Sequence, residues 1–245
     1  ALPTPRLQIV AEIVHANLRR MADYAAYHGM DLRPHTKTHK SRQVGRLQLE
    51  AGACGLTVAK VGEAEILADV CDDLLLAYPT VDSYRCRKVV DLAERVTIRV
   101  ALDSALAAEQ LHREAQQRGT TVGVLVDVDL GYGRTGVQSD AQAVLLGQTI
   151  EGLTALRLDG IMTYTGHITG DESEQTAKFA QVRTRMEKLL AEWSRAGLSA
   201  EIVSGGSTPA ALHCHLAQHF TEIRPGTYVY NDMNIVRGGY ATLAD

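Results

Sequence analysis

Val96-Thr97-Ile98-Arg99-Val100-Ala101-Leu102, the pair Asp103-Ser104, a helical stretch ending at Arg118, then Gly119 and Val122-Gly123-Val124-Leu125-Val126-Asp127-Val128 decide the fold. The two apolar, β-branched runs read as strands. Ser104 suits the start of a helix and Gly119 its end. Strands joined by a helix lie parallel, because a parallel pair needs a long crossover.

The same unit repeats outward in both directions. Toward the N-terminus the predicted strands are 73–78, 55–59 and 32–38, each followed by a helix, near 83–93, 61–69 and 41–52. An amphipathic helix at roughly 12–28 comes first. Toward the C-terminus a helix near 139–150 leads to strand 156–164, a long charged helix near 174–196, strand 200–204, a helix near 208–217 and an eighth strand within 220–230. Eight units in 245 residues predict one α/β domain over 1–245, a (β/α)8 TIM barrel, which takes about 250 residues. The runner-up is a doubly wound open sheet. It would carry a glycine-rich dinucleotide fingerprint after its first strand, where this chain has His35-Thr36-Lys37-Thr38-His39-Lys40.

Composition narrows the function. With 45% hydrophobic and 22% charged residues the chain is no disordered tail. A net charge of -4 gives no footprint for nucleic acid. No apolar run approaches the roughly 18–20 residues of a membrane span. Ala1-Leu2-Pro3-Thr4-Pro5 lacks the basic and apolar regions of a signal peptide. Cys54, Cys71, Cys86 and Cys214 form no C-x-x-C pair and read as reduced thiols of a cytoplasmic protein. Nine Tyr against two Phe and one Trp point to phenols with polar work.

Barrel active sites lie at the C-terminal ends of the strands. Polar residues gather there. His35, Lys37 and His39, at spacing two, are predicted to share one strand face toward the mouth, with Lys40 pointing away. A lysine among apolar and cationic neighbours loses basicity and can attack an aldehyde; a solvated strand-end lysine is the plainer reading, and Lys60 is a rival by position. Ser204-Gly205-Gly206-Ser207-Thr208-Pro209 joins strand to helix, with Thr208 as the predicted N-cap and Pro209 at the first helical position. Such a turn binds phosphate or is only a capped turn. An aldehyde and a phosphate together describe pyridoxal phosphate. Arg224 and Arg134 are available for its ring nitrogen and its phenolic oxygen. Leu212-His213-Cys214-His215 with His219 is rich in ligand types, but its side chains diverge and no carboxylate is suitably placed, so no metal site is assigned.

Arg33-Pro34-His35-Thr36-Lys37-Thr38-His39-Lys40 resembles the signature of D-threonine aldolases and eukaryotic-type D-serine dehydratases, which are fold-type III pyridoxal phosphate enzymes related to alanine racemase. The similarity continues in Gly55-Leu56-Thr57-Val58-Ala59-Lys60-Val61-Gly62-Glu63-Ala64-Glu65, in Asp127-Val128-Asp129-Leu130-Gly131-Tyr132-Gly133-Arg134-Thr135-Gly136-Val137, in Tyr164-Thr165-Gly166-His167, in the 204–209 turn and in Arg224-Pro225-Gly226-Thr227-Tyr228. The resemblance implies that Lys37 bonds the cofactor aldehyde, flanked by His35 and His39. It implies that Arg134 lies near the phenolate, and that Tyr164 and His167 lie beside the pyridine ring. It further implies that Gly205, Gly206, Ser207 and Thr208 form the phosphate loop, with Arg224, Gly226 and Tyr228 completing it. In the racemases that last segment also supplies the pyridine-nitrogen partner.

The family also has a C-terminal β domain that supplies ligands for a divalent metal (Mn, Mg or Zn) and completes a partner subunit's site. The resemblance implies that this domain is absent from these residues, or only begins at their extreme C-terminus, and that the protein is a homodimer. The activity implied is that of a lyase on D-β-hydroxy amino acids, with D-threonine aldol cleavage ahead of D-serine or 3-hydroxyaspartate dehydration. A non-catalytic barrel serving pyridoxal phosphate homeostasis is the rival from another class.

Overall fold

The computed structural model describes residues 4–5 and 8–245. Ala1-Leu2-Pro3, part of the segment read for a signal peptide, lies outside the described residues. The 96–128 stretch forms strand β4 (Thr97–Leu102), helix α5 (Ala105–Arg118) and strand β5 (Val122–Asp127). The Ser104 hydroxyl accepts the Ala107 N–H at the start of α5. Gly119 ends it at φ 67°, a left-handed conformation that glycine adopts without strain.

The other strands are β1 (Asp31–Leu32), β2 (Leu56–Val58), β3 (Asp73–Leu76), β6 (Leu156–Met162), β7 (Ile202–Gly205) and β8 (Glu222–Ile223). The other helices are α1 (Ala11–Tyr27), α2 (Arg42–Glu50), α3 (Val61–Leu67), α4 (Ser83–Ala93), α6 (Asp140–Glu151), α7 (Glu172–Arg195) and α8 (Met233–Arg237). All strand pairs are parallel, in the order β1-β8-β7-β6-β5-β4-β3-β2. The ring closes between β1 and β2, where Cys54 N–H donates to the Leu32 carbonyl and Thr57 N–H to that of Pro34, both at 2.9 Å. This is a (β/α)8 barrel.

The outer strand faces meet the helices in one continuous core that includes Leu111, Val124, Phe179 and Trp193, all buried. Each such side chain contributes roughly 1.5–3 kcal/mol by leaving water. The inner faces follow the period of two. Leu75, Ala101, Leu125 and Met162 form a small apolar layer inside the barrel. In β6 the register skips Asp159, because Val124 faces Leu158 and Leu125 faces Gly160. This bulge re-aims the Asp159 carboxylate, which accepts from Arg99 Nε at 2.7 Å and Arg157 Nε at 2.5 Å. A Cβ on Gly123 would sit 2.6 Å from that carboxylate, so glycine there gives the pair its room.

The eighth strand lies within 220–230 as expected and is short, Glu222–Ile223, because Pro225 and Gly226 end the ladder. Two local expectations need correction. The 208–217 helix is a 3-10 helix, and Ser207 rather than Thr208 stands at its N-cap, with no side-chain cap bond.

Candidate active site

The 33–40 segment does not run as a strand to its end. After β1 the chain passes Pro34, and Thr36–Thr38 wind into one 3-10 turn. The turn carries His39 off the predicted shared face, while His35, still extended before the turn, stays with Lys37. The Lys37 N–H donates to His35 Nδ1 at 3.4 Å, and the Thr36 hydroxyl to the Thr57 carbonyl at 3.0 Å. The turn is thereby pinned to β2. Lys37 and His35 enter a pocket at the barrel mouth. His39 turns outward: its Nε2 lies 3.2 Å from Gln48 Oε1, and Gln48 Nε2 donates to the buried Tyr228 hydroxyl, also at 3.2 Å. Lys40 pairs with Glu63 Oε1 at 2.9 Å, away from the pocket.

The opposite wall is the predicted turn after β7. Gly206, Ser207 and Thr208 line the pocket together with Gly226. Gly206 has φ 87°, which a larger residue holds only under strain. The Thr208 hydroxyl accepts the N–H groups of Gly226 and Thr227 at 3.0 and 2.9 Å, tying the turn to the segment after β8. A Cβ on Gly226 would lie 3.0 Å from the His35 carbonyl and fill the cleft between the walls.

The floor and rim hold the charge. Arg224 is buried; Nη1 donates to Ser204 Oγ at 2.5 Å and Nη2 to the Thr163 carbonyl at 2.6 Å. The Arg134 guanidinium lies 4.5 Å from the Tyr164 ring centroid and 5.2 Å from that of Tyr132, in cation–π contact with both. Asp129 accepts the N–H groups of Gly131 and Tyr132 at 2.9 Å, and of Gly133 at 3.0 Å, which shapes the loop delivering Arg134. Lys37 Nζ is 5.8 Å from the Tyr164 centroid.

These neighbours set the protonation states. Desolvation, then Arg134 and Arg224, push the Lys37 amine below its ordinary range. Burial, with Lys37, Arg224 and Arg134 behind it, drives His35 down to about 2, so its imidazole is neutral. Burial raises the Tyr164 phenol. Burial also lifts the Asp127 carboxyl to about 6, against a hydrogen bond from Thr135 and the pull of Arg224.

Of the predicted residues, Lys37, His35, Arg134, Tyr164, Gly206, Ser207, Thr208, Arg224 and Gly226 meet around this pocket. Four stand apart from its lining: His39 and Tyr228 on Gln48, Gly205 against the Phe220 ring, and His167, which packs near Gly131 with Nδ1 buried and unpartnered. Lys60 instead precedes α3 in a separate surface cleft. The His213 region is spent elsewhere, with His213 Nδ1 on Gln175 and His215 Nδ1 on the Tyr24 hydroxyl, each at 2.8 Å. Sequence reasoning missed Ala77, Met162 and Thr227 in the lining, and Glu222 behind it. Strand periodicity was the available signal for Glu222, two residues before Arg224 on one face.

The model of the alanine racemase N-terminal domain matches residues 9–234. The chain belongs to this family. Among alanine racemase-domain relatives, it is 31% identical over 235 residues to a D-threonine aldolase of Arthrobacter sp, covering 94% of this chain and 61% of that protein. It is 32% identical over 238 residues to a D-threo-3-hydroxyaspartate dehydratase of Delftia sp. strain HT23, covering 95% and 62% respectively. The crystal structure of D-threonine aldolase from Filomicrobium marinum superposes with a TM-score of 0.93 at 29% identity, over 96% of this chain and 64% of that one. The chain thus spans about three fifths of the length of these relatives.

Proposed function

We propose that this barrel holds pyridoxal 5'-phosphate and is the cofactor domain of a lyase acting on D-β-hydroxy amino acids, with cleavage of D-threonine to glycine and acetaldehyde as the main reaction. The observation that carries the reading is the pocket itself. A lysine of lowered basicity faces a glycine–serine turn across a cleft edged by two arginines.

The residues fit the cofactor's parts. Gly206, Ser207 and Thr208, with Gly226, offer a cradle for the phosphate, and Gly226 keeps the cleft open. Lys37 is the nucleophile for the aldehyde, because its cationic neighbours favour the neutral amine. Arg134, held over the Tyr164 ring, offers a cation for the phenolic oxygen. Arg224 offers donors to the ring nitrogen from the floor. When bound, the cofactor supplies an electron sink for charge at Cα. Neutral His35 keeps an uncompensated third cation out of the site.

A divalent metal is expected with the activity. Among the described residues no three His, Cys, Asp or Glu side chains are grouped to hold one. A homodimer acting in the cytoplasm belongs to the same proposal, and sedimentation of the purified protein tests its assembly.

Protein supplied with pyridoxal phosphate is expected to absorb at about 410–430 nm. Borohydride should fix the cofactor to Lys37, and Lys37→Ala should be colourless and unlabelled. Reducible cofactor retained by Lys37→Ala would overturn the assignment. The full-length protein with D-threonine and Mn²⁺ should release acetaldehyde. The second reading is dehydration, favoured by a dehydratase relative as similar as the aldolase; ammonia and a 2-oxo acid from D-serine or 3-hydroxyaspartate would select it.

A further inference from the structure

Arg224 is held by a hydroxyl and a carbonyl, with the nearest carboxylate one step removed. Its Nη1 donates to Ser204 Oγ, and Ser204 Oγ donates to Glu222 Oε1, both at 2.5 Å. The other Glu222 oxygen accepts Arg33 Nε at 2.8 Å. All four side chains are buried. Ser204 and Glu222 are register partners across β7 and β8, so the chain of bonds is built into the sheet.

Elementary bonding rules fix the proton. A guanidinium only donates. Ser204 Oγ must therefore accept from Arg224, and its single proton must point at Glu222. The carboxylate polarises the hydroxyl and makes it a stronger acceptor for the arginine. A carboxylate bonded directly to Arg224 would hold it as firmly but cancel its charge. The hydroxyl fixes the guanidinium plane and leaves its charge, with its remaining N–H groups, for the pocket. Glu222 meanwhile balances Arg33.

We propose that Ser204 is a positioning residue: its hydroxyl, polarised by Glu222, aims Arg224 at the pyridine-ring edge of the bound cofactor while leaving the guanidinium cationic. The proposal rests on the pyridoxal phosphate reading above and gives that reading a working part outside the pocket lining.

The test compares pyridoxal phosphate affinity and the visible absorption band of the bound cofactor in wild type, Ser204→Ala and the isosteric pair Ser204→Thr and Ser204→Val. Ala and Val should raise Kd by about 10-fold or more, the usual weight of a hydrogen bond to a charged group, and should shift the band. Thr keeps the hydroxyl and should restore both. Melting temperatures identify any variant that fails to fold; if Ala does, the Thr–Val pair decides alone. Kd within about twofold of wild type and an unmoved band in the Ala and Val variants would overturn the proposal. So would a Thr variant that behaves like Val. Wild type that takes up no cofactor overturns the cofactor reading and this proposal with it. Wild type that binds while ignoring the Ser204 hydroxyl overturns this proposal alone.

Discussion

The two ends of the barrel interior handle charge in opposite ways. At the lower end every cation touches an anion: Arg33 meets Asp73 at 2.6 Å and Glu222 at 2.8 Å, Arg99 meets Asp73 at 2.6 Å and Asp159 at 2.7 Å, and Arg157 meets Asp159 at 2.5 Å. At the mouth Lys37, Arg134 and Arg224 make no ion pair among the described residues. The carboxyl buried near them, Asp127, leaves Oδ2 without a partner. Closed pairs at one end serve folding. Open cations at the other are held apart from carboxylates and stay available to an anionic ligand.

Breaking a lower pair should cost stability and spare the mouth. Asp159→Ala leaves Arg99 and Arg157 without the carboxylate that bridges them, and should destabilise by about 3 kcal/mol. Urea denaturation measures that loss. Cofactor affinity of the folded variant should match wild type, and a parallel fall in affinity would show that the two ends are one electrostatic unit.

Asp127 sharpens the contrast through pH. Unfolded, its carboxyl titrates near 3.9; folded, burial lifts it to about 6. Between those values the folded state binds the extra proton. Its contribution to stability is therefore present below the unfolded value and lost as pH rises through about 6. Asp103, Arg134 and Arg224 act on the same group and are unchanged in Asp127→Asn. That variant of the cofactor-free protein should be more stable than wild type at pH 7.5 by on the order of 2–3 kcal/mol, and no more stable at pH 4. Equal urea midpoints at pH 7.5 would mean the carboxyl ionises without cost.

The lower and upper ends were not equally legible in the sequence. Strand number and order followed from apolar runs and caps such as Ser104 and Gly119, because both signals are local. The period-two argument for Lys37 holds for His35 and fails for His39: Thr36–Thr38 wind into a 3-10 turn, and His39, assigned to the same face, bonds Gln48 instead. Motif resemblance placed Arg134 and Arg224 in the site, but no local pattern shows that Thr208 ties two loops together or that Ser204 stands between Arg224 and Glu222. Those links join residues 18 apart in the chain, and only barrel closure brings them together. The Asp159 bulge was invisible for the same reason: a one-residue register slip leaves no trace in an apolar run.

Arg134 gives the smallest effect on the fold and the most specific one on the site. It is exposed, anchored only by the faces of Tyr132 and Tyr164, and pairs with no carboxylate among the described residues. Arg134→Gln should therefore move stability by no more than about 0.5 kcal/mol. Its charge nevertheless helps to depress Lys37. Removing it should raise the lysine's pKa, leave less neutral amine at pH 7 and slow attachment of pyridoxal phosphate there. The pH at which attachment reaches half its maximal rate should move upward, and affinity should fall by about 10-fold as a charge-assisted contact is lost. Stopped-flow absorbance across pH measures the first quantity and equilibrium titration the second. An unshifted pH profile with weakened affinity would confine Arg134 to holding the ligand, and the depression of Lys37 would then fall to burial and Arg224.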